Sequence, residues 1–314
     1  MVRMILVLAL VLAVWAPASA EEGQPADSTG WQKAADLSFN VSQSSYNEAW
    51  SGSESGAAAF TFLGNLKAEK QLSPKFNTRN TLNLNYGMTH SQQRDAAGKH
   101  HWVSPIKSSD RIFFESLLRM TLGIVVDPYA SFTFESQFYN PHDDPADGLP
   151  TKVRRYIDPM VLSEAAGVGR TIIKNDRAEL LSRVGLSVRE HISKDVLSIE
   201  PEETETNTMT DGGLEWVTDY SQTVSSTLKY VTKLRTFKAL YNSKDDQWKG
   251  TPLEGTPVED YWKTVDVAWE NTLSAAVTKY VQVTLFGELL YDKEVDLRGR
   301  FREVLGLGLT YKLF

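Results

Sequence analysis

The stretch Thr81-Leu82-Asn83-Leu84-Asn85-Tyr86-Gly87-Met88 decides the fold, because Leu82, Leu84, Tyr86 and Met88 alternate with Thr81, Asn83, Asn85 and Gly87. A period of two sends the two sets to opposite faces of an extended strand, one apolar and one polar. Upstream, Leu37, Phe39 and Val41 alternate with Asp36, Ser38 and Asn40, and Phe60, Phe62, Leu66 and Ala68 with Thr61, Asn65, Lys67 and Glu69. Downstream, Ile112, Phe114, Leu118 and Met120 oppose Arg111, Glu115, Arg119 and Thr121, and Ala130, Phe132, Phe134 and Phe138 oppose Ser131, Thr133, Glu135 and Gln137. Leu180, Val184, Leu186 and Val188 oppose Glu179, Arg183, Ser187 and Arg189, while Leu228, Tyr230 and Leu234 oppose Lys229, Lys233 and Arg235. Val265, Val267 and Trp269 oppose Asp266, Ala268 and Glu270, and Leu305, Leu307, Leu309 and Tyr311 close the series against Val304, Gly306, Gly308 and Thr310. Twelve such strands are predicted.

The connections alternate as well. Short turns are predicted at Leu72 to Lys75, Asp127-Pro128, Lys174 to Asp176, Tyr220 to Thr223 and Ala276 to Lys279. Long loops are predicted at Gln43 to Ser55, His90 to Ser109, Asn140 to Ile157, Ile192 to Asn207 and Tyr241 to Asp260, with a shorter one from Asp292 to Arg298. Turns at one end and loops at the other predict an all-β, transmembrane up-and-down antiparallel β-barrel, with short periplasmic turns and long extracellular loops. Such a barrel satisfies every backbone hydrogen bond inside a bilayer. A soluble sandwich or propeller also alternates, but neither predicts two aromatic belts. Trp31, Tyr129, Tyr220, Tyr280 and Tyr311 fall at the turn end, and Tyr46, Trp50, Trp102, Tyr139, Tyr156, Tyr241, Tyr261, Trp262 and Tyr291 at the loop end.

Composition alone points elsewhere: 41% hydrophobic residues and a mean hydropathy of -0.31 look soluble. The apolar run Ile5 to Trp15, behind Arg3 and before Ala18-Ser19-Ala20, reads as a secretory signal peptide over residues 1–20. A periplasmic tail over 21–30 and the barrel over 31–314 complete the expected domains. Beyond Ala20 the longest apolar run, Met120 to Val126, falls far short of the roughly 20 residues of a spanning helix. With no cysteine, disulfide-stapled scaffolds and Cys-ligated zinc are excluded. Without Arg3 the formal charge is -8, which argues against a nucleic-acid binder.

The final segment Gly306-Leu307-Gly308-Leu309-Thr310-Tyr311-Lys312-Leu313-Phe314 resembles the terminal strand of bacterial outer-membrane proteins. That resemblance implies recognition by the barrel-assembly machinery through a strand ending in Phe314. More of the chain resembles an uncharacterised family of bacterial outer-membrane proteins, catalogued as the domain of unknown function numbered three thousand and seventy-eight. The residues that carry this are Asn47-Glu48-Ala49-Trp50-Ser51-Gly52, Lys107-Ser108-Ser109-Asp110-Arg111, Gln137-Phe138, Ile157-Asp158-Pro159-Met160-Val161-Leu162, Gly167-Val168-Gly169 and the closing Gly-Leu-Thr-Tyr. The resemblance implies a barrel in a Gram-negative outer membrane, with lipids and lipopolysaccharide as surroundings, and no activity.

The acidity sits in the long loops, which together hold -8; Ile192 to Asn207 is the extreme, with Asp195, Glu200, Glu202, Glu203 and Glu205 against Lys194. Such loops either collect cations or are ordinary solvated surface. Lys67, Arg111, Glu115, Arg119, Glu135, Glu179, Arg183, Glu215, Lys229, Lys233, Arg235, Asp266, Glu270, Glu288 and Arg302 are the expected lumen-lining residues. They form either a side-chain-filled interior or a constricted pore. Pairing the hairpin about Tyr220 to Thr223 sets Glu215 opposite Lys229 and Asp211 opposite Lys233. Glu164 shares parity with Met160, Leu162 and Val168, so it faces lipid unless a bulge near Ala165-Ala166-Gly167 turns it inwards.

All five histidines, His90, His100, His101, His142 and His191, fall in or beside long loops. His191 and Ser193 show no evident orienting partner, so a nucleophilic triad is not indicated. His100-His101 with His142-Asp143-Asp144 is a weak metal candidate, since adjacent histidines point apart in extended chain. No cofactor-binding motif, phosphate loop or plug domain is seen. The sequence therefore predicts a narrow or gated channel for small solutes or ions and no enzyme; the alternatives are an outer-membrane lipase or protease, or a surface binding or structural barrel.

Overall fold

A computed structural model describes residues 30–44, 56–94, 99–138, 156–197 and 204–312. The expected signal peptide, most of the first and third expected long loops, Glu200 to Glu203, His142 and Phe314 lie outside the described residues. The strands are β1 (Gln32–Ser44), β2 (Ala57–Ser73), β3 (Phe76–Arg94), β4 (His100–Trp102), β5 (Ile106–Met120), β6 (Asp127–Ser136), β7 (Met160–Lys174), β8 (Ala178–Leu197), β9 (Thr204–Thr223), β10 (Leu228–Asn242), β11 (Val265–Ala276), β12 (Val281–Tyr291) and β13 (Arg300–Lys312). Consecutive strands pair antiparallel, except that β3 pairs with β5 past the short β4, and β13 returns to β1, which closes the sheet. The three-residue β4 only extends the outer end of β3. Twelve strands therefore form the barrel wall, and among the described residues no helix is long and apolar enough to cross a membrane.

Short polar side chains fix the tight turns. Asn175 Oδ1 accepts the backbone N–H groups of Arg177 and Ala178, Ser225 Oγ those of Thr227 and Leu228, and Thr278 Oγ1 those of Tyr280 and Val281. Each side chain supplies an acceptor that the turning backbone lacks. Between β5 and β6, Asp127 Oδ1 accepts from the N–H of Leu122, and Gly123 takes φ 71°. At the other end a chain of turns and a 3-10 segment, Pro257–Lys263, cover the gap from β10 to β11.

The alternation orients the wall. Val184, Leu186, Val188, Leu214, Trp216, Leu305, Leu307 and Leu309 are 46 to 65% exposed except Leu305 at 71%, and all point outwards. An apolar band of that extent belongs in lipid. Residues of the other parity are buried although polar: Ser38, Asn40, Glu115, Arg183, Asp211, Glu215 and Glu288 are all under 9% exposed. Two outward indoles find partners on the next strand, Trp216 Nε1 donating to Ser182 Oγ and Trp269 Nε1 to Thr232 Oγ1.

Several expectations are corrected in detail. The turn after β5 is residues 121–126, not Asp127-Pro128, because β6 already begins at Asp127. The turn from β9 to β10 is residues 224–227, since β9 runs on to Thr223. Lys229 then faces Thr223, Lys233 faces Asp219, Glu215 faces Phe237 and Asp211 faces Asn242. The shift is an even number of residues as far as the β-bulge between Ala239 and Tyr241, whose one extra residue is added beyond it, so no side chain of β9 changes face. Strands β8 and β9 extend into the expected acidic loop, which shrinks to residues 198–203. No bulge occurs near Ala165, so Glu164 stays on the outer face, paired with Phe132 and Val188. Tyr129 leaves the aromatic belt: it shares parity with Glu135 and lies inside, 5% exposed.

Candidate functional site

The interior of the barrel is the candidate site, and it is built in tiers by alternate residues of facing strands. At the turn end, Arg79 of β3 bonds Glu69 of β2 at 2.9 Å and reaches Glu179 of β8 across the lumen. Lys67 joins the same carboxylates at 3.1 and 3.8 Å. Arg119 donates to Thr171 Oγ1 at 2.6 Å, with Asp127 at 3.8 Å. Beside this tier lies an apolar cluster of Leu117, Tyr129, Ala165 and Leu181. The Tyr129 ring has room because its cross-strand neighbours are Gly167 and then Gly185; a Cβ at Gly185 would come within 2.8 Å of the phenol oxygen.

The middle tier ties opposite walls together. Glu115 of β5 accepts from Arg183 of β8 at 2.8 Å and from Lys233 of β10 at 2.5 Å. Asp219 takes the same two cations at 3.0 and 3.5 Å. Above it Phe113, 1% exposed, is ringed by Arg111 at 4.8 Å, Lys233 at 5.0 Å and Arg235 at 5.1 Å from its centroid. The aromatic face attracts cations, and the ring fills space that the ion pairs leave. Phe237 lies likewise under Arg189 at 3.6 Å.

In the upper tier Arg111 bonds Glu135 at 2.7 Å and Glu270 at 2.8 Å, with Glu288 at 3.9 Å. Arg235 approaches Glu135 at 3.6 Å, and Arg302 bonds Glu288 at 2.7 Å. Arg189 reaches Asp266 at 3.3 Å and Glu215 at 3.8 Å. A cavity of about 510 Å³ opens here, lined by Arg111, Glu135, Gln137, Glu288, Arg300 and Arg302 among others.

The loop-end mouth is acidic. Asp211 holds His191 at 3.3 Å, and its Oδ1 has no hydrogen-bond partner. His191, expected in or beside a long loop, lies within β8, which runs on to Leu197, and has in Asp211 the partner that sequence alone did not reveal. In the connection after β12, partial desolvation and then the carboxylates of Asp211, Asp292 and Asp266 push Glu294 up to about 7. Among the described residues no group of three or more His, Asp or Glu could hold a metal ion.

Of the fifteen residues expected in the lumen, fourteen take part in the contacts above. Lys229 has the inward parity of Lys233 but is exposed at the turn-end rim. Sequence reasoning omitted Arg79, Glu69, Asp219, Arg189 and Phe113 from that set, although Phe113 shares parity with Arg111 and Glu115 and could have been found that way.

Residues 41–141 match the model of a family described as Protein of unknown function (DUF3078). With the closed barrel, the match supports an uncharacterised family of outer-membrane barrels. No curated relative matches the chain. Among solved structures it is similar to the translocator domain of the autotransporter NalP from Neisseria meningitidis, at 8% identity and TM-score 0.39, covering 99% of this chain and 94% of that one. It is similar also to an outer-membrane channel from Pseudomonas putida F1, at 10% identity and TM-score 0.39, over 93% and 99% of the two chains. A third is the NanC porin, at 8% identity and TM-score 0.35, over 88% and 98%.

Proposed function

We propose that this barrel is a narrow, gated channel for small solutes or ions with a preference for cations, and that it is not an enzyme. The observation that carries the reading is the charged interior, where cross-barrel ion pairs and Phe113 leave a cavity of about 510 Å³ rather than a dry apolar core. Charged groups that pair with one another can part to admit an ion or a small polar solute, which an apolar filling cannot do. The mouth supports the cation preference, with Asp211, Asp266, Asp292 and Glu294 near Arg189 and His191. In this reading the chain is exported by its N-terminal segment, assembled through the strand ending in Phe314, and seated among outer-membrane lipids and lipopolysaccharide.

Planar-bilayer recording tests it. The refolded protein is expected to conduct in small steps with cations favoured over anions, and Phe113→Ala to raise the step size several-fold by removing the ring from the constriction. Silence of both proteins, with folded barrels verified by heat-modifiable migration, would end the channel reading.

A further inference from the structure

At the loop end, β9, β11 and the connection after β12 bring four carboxylates to one part of the mouth. Asp211 shares inward parity with Glu215 and Asp219, and Asp266 with Glu270. Asp292 directly follows β12, and its Oδ1 accepts the backbone N–H of Glu294 at 2.9 Å. Glu294 there feels the charges of Asp211, Asp292 and Asp266. Nearby cations are engaged elsewhere: Lys293 lies over the Tyr261 ring, 4.5 Å from its centroid, Lys244 bonds Asn207, and Arg298 bonds Asp296 at 3.3 Å. Among the described residues, only Arg189 and His191 form ion pairs with the four carboxylates.

An orphaned oxygen separates this mouth from an ordinary acidic rim. Asp211 is 5% exposed, and while its Oδ2 faces His191 Nε2 at 3.3 Å, its Oδ1 is buried with no hydrogen-bond partner. Neither cross-strand neighbour supplies a donor. Arg189, opposite it on β8, stacks on Phe237 at 3.6 Å from the ring centroid and reaches Asp266 and Glu215 instead. Asn242, opposite it on β10, is 1% exposed and turns its amide nitrogen to Met209 Sδ at 3.6 Å. A buried carboxylate oxygen left without a donor is costly, so the position favours a ligand that donates and carries positive charge. A calcium ion needs several oxygens converging at roughly 2.3 to 2.6 Å. No group of three or more His, Asp or Glu among the described residues converges in that way. Two ammonium groups joined by a short chain suit carboxylates that are close without converging, since each ammonium carries three donors and no acceptor.

We propose that the loop-end mouth is a binding site for an aliphatic diammonium cation. One ammonium donates to Asp211 Oδ1 and to the carboxylate of Glu294, and the other lies between Asp266 and Asp292. Lys293 on Tyr261 is an alkylammonium already held against an aromatic face at the same rim. The proposal rests on the cation-preferring reading only in placing the ligand on the path to the lumen, and it adds the ligand class and the residues that hold it.

The probe is 1,4-diaminobutane, with 1-aminobutane and calcium chloride as comparisons, each titrated calorimetrically into the refolded protein in nanodiscs. One saturable site per barrel is expected, at least tenfold tighter for the diamine than for the monoamine or for calcium. Asp211→Asn and Glu294→Gln should each weaken it at least fivefold. Asp296→Asn, in the same connection but with its carboxylate engaged by Arg298, should leave the affinity within twofold. Glu294 lies outside the strands, so its variant keeps the test decisive should Asp211→Asn fail to fold. Absence of a saturable site, equal affinity for calcium, or an equal loss in Asp296→Asn overturns the proposal. Bilayer recording of the same preparations separates the two readings: a cation-conducting barrel without the diamine site refutes the site alone. A silent barrel that binds the diamine through Asp211 and Glu294 refutes the channel alone.

Discussion

Replacement of Glu115 by Leu tests whether the interior is held by buried ion pairs. Glu115 is 8% exposed and receives two charge-assisted hydrogen bonds, from Arg183 at 2.8 Å and Lys233 at 2.5 Å. Each such bond contributes about 1.5 to 3 kcal/mol. In Glu115→Leu both cations must share Asp219, which lies at 3.0 Å from Arg183 and 3.5 Å from Lys233. One uncompensated charge then remains in the interior, and breaking a buried pair in this way costs about 3 to 5 kcal/mol. The double variant Glu115→Leu with Lys233→Met removes the orphan and should recover at least half of that loss, because an apolar replacement of both partners is often neutral. Urea unfolding of the barrel in phospholipid vesicles, followed by tryptophan fluorescence and by gel migration without heating, measures both values. A single-variant loss below about 1 kcal/mol, the worth of a solvated pair, would show that water reaches this tier and refute the packed interior.

Gly213→Ala should lower stability by about 1 to 3 kcal/mol in the same assay, since its Cβ would collide with the carbonyl oxygen of Lys238 and come within 2.9 Å of Ala239 Cα. Gly287→Ala, where nothing lies within 4 Å of a Cβ, should change it by less than about 0.5 kcal/mol. Glu294 gives a pH signature at the mouth. Its pKa is raised from 4.5 to about 7 in the folded protein, so its protonation stabilises the mouth fully below 4.5, and this is lost as pH rises through 7. Amide hydrogen exchange in the connection from β12 to β13 should therefore quicken between pH 4.5 and 7 beyond its intrinsic pH dependence, and Glu294→Gln should remove that excess.

Parity carried most of what sequence could tell. The inward set was readable from the spacing of Arg111, Glu115 and Arg119 on one strand or Glu179 and Arg183 on another, because a strand offers only two faces. The same rule placed Glu164 outwards, and would have placed Tyr129 and Phe113 inwards had their neighbours been weighed above their aromatic character. Turn positions were less legible. Sliding β9 past β10 by an even number of residues leaves every side chain on its face, so hydrophobic pattern alone cannot choose between those registers. The hydroxyl oxygen of Ser225, which accepts the backbone N–H groups of Thr227 and Leu228, made the choice.

Sequence by itself determined that the chain is a twelve-stranded barrel, which residues meet lipid and which meet the lumen, since alternation is a local property of each strand. Only the tertiary structure decided who meets whom inside. Glu115 and Lys233 lie 118 residues apart and touch because closing the sheet brings β5 opposite β10. The seam between β1 and β13, with Asn40 over Gly306 and Gly308, is likewise a product of closure, where the first and last strands must fit a register that no turn connects or fixes.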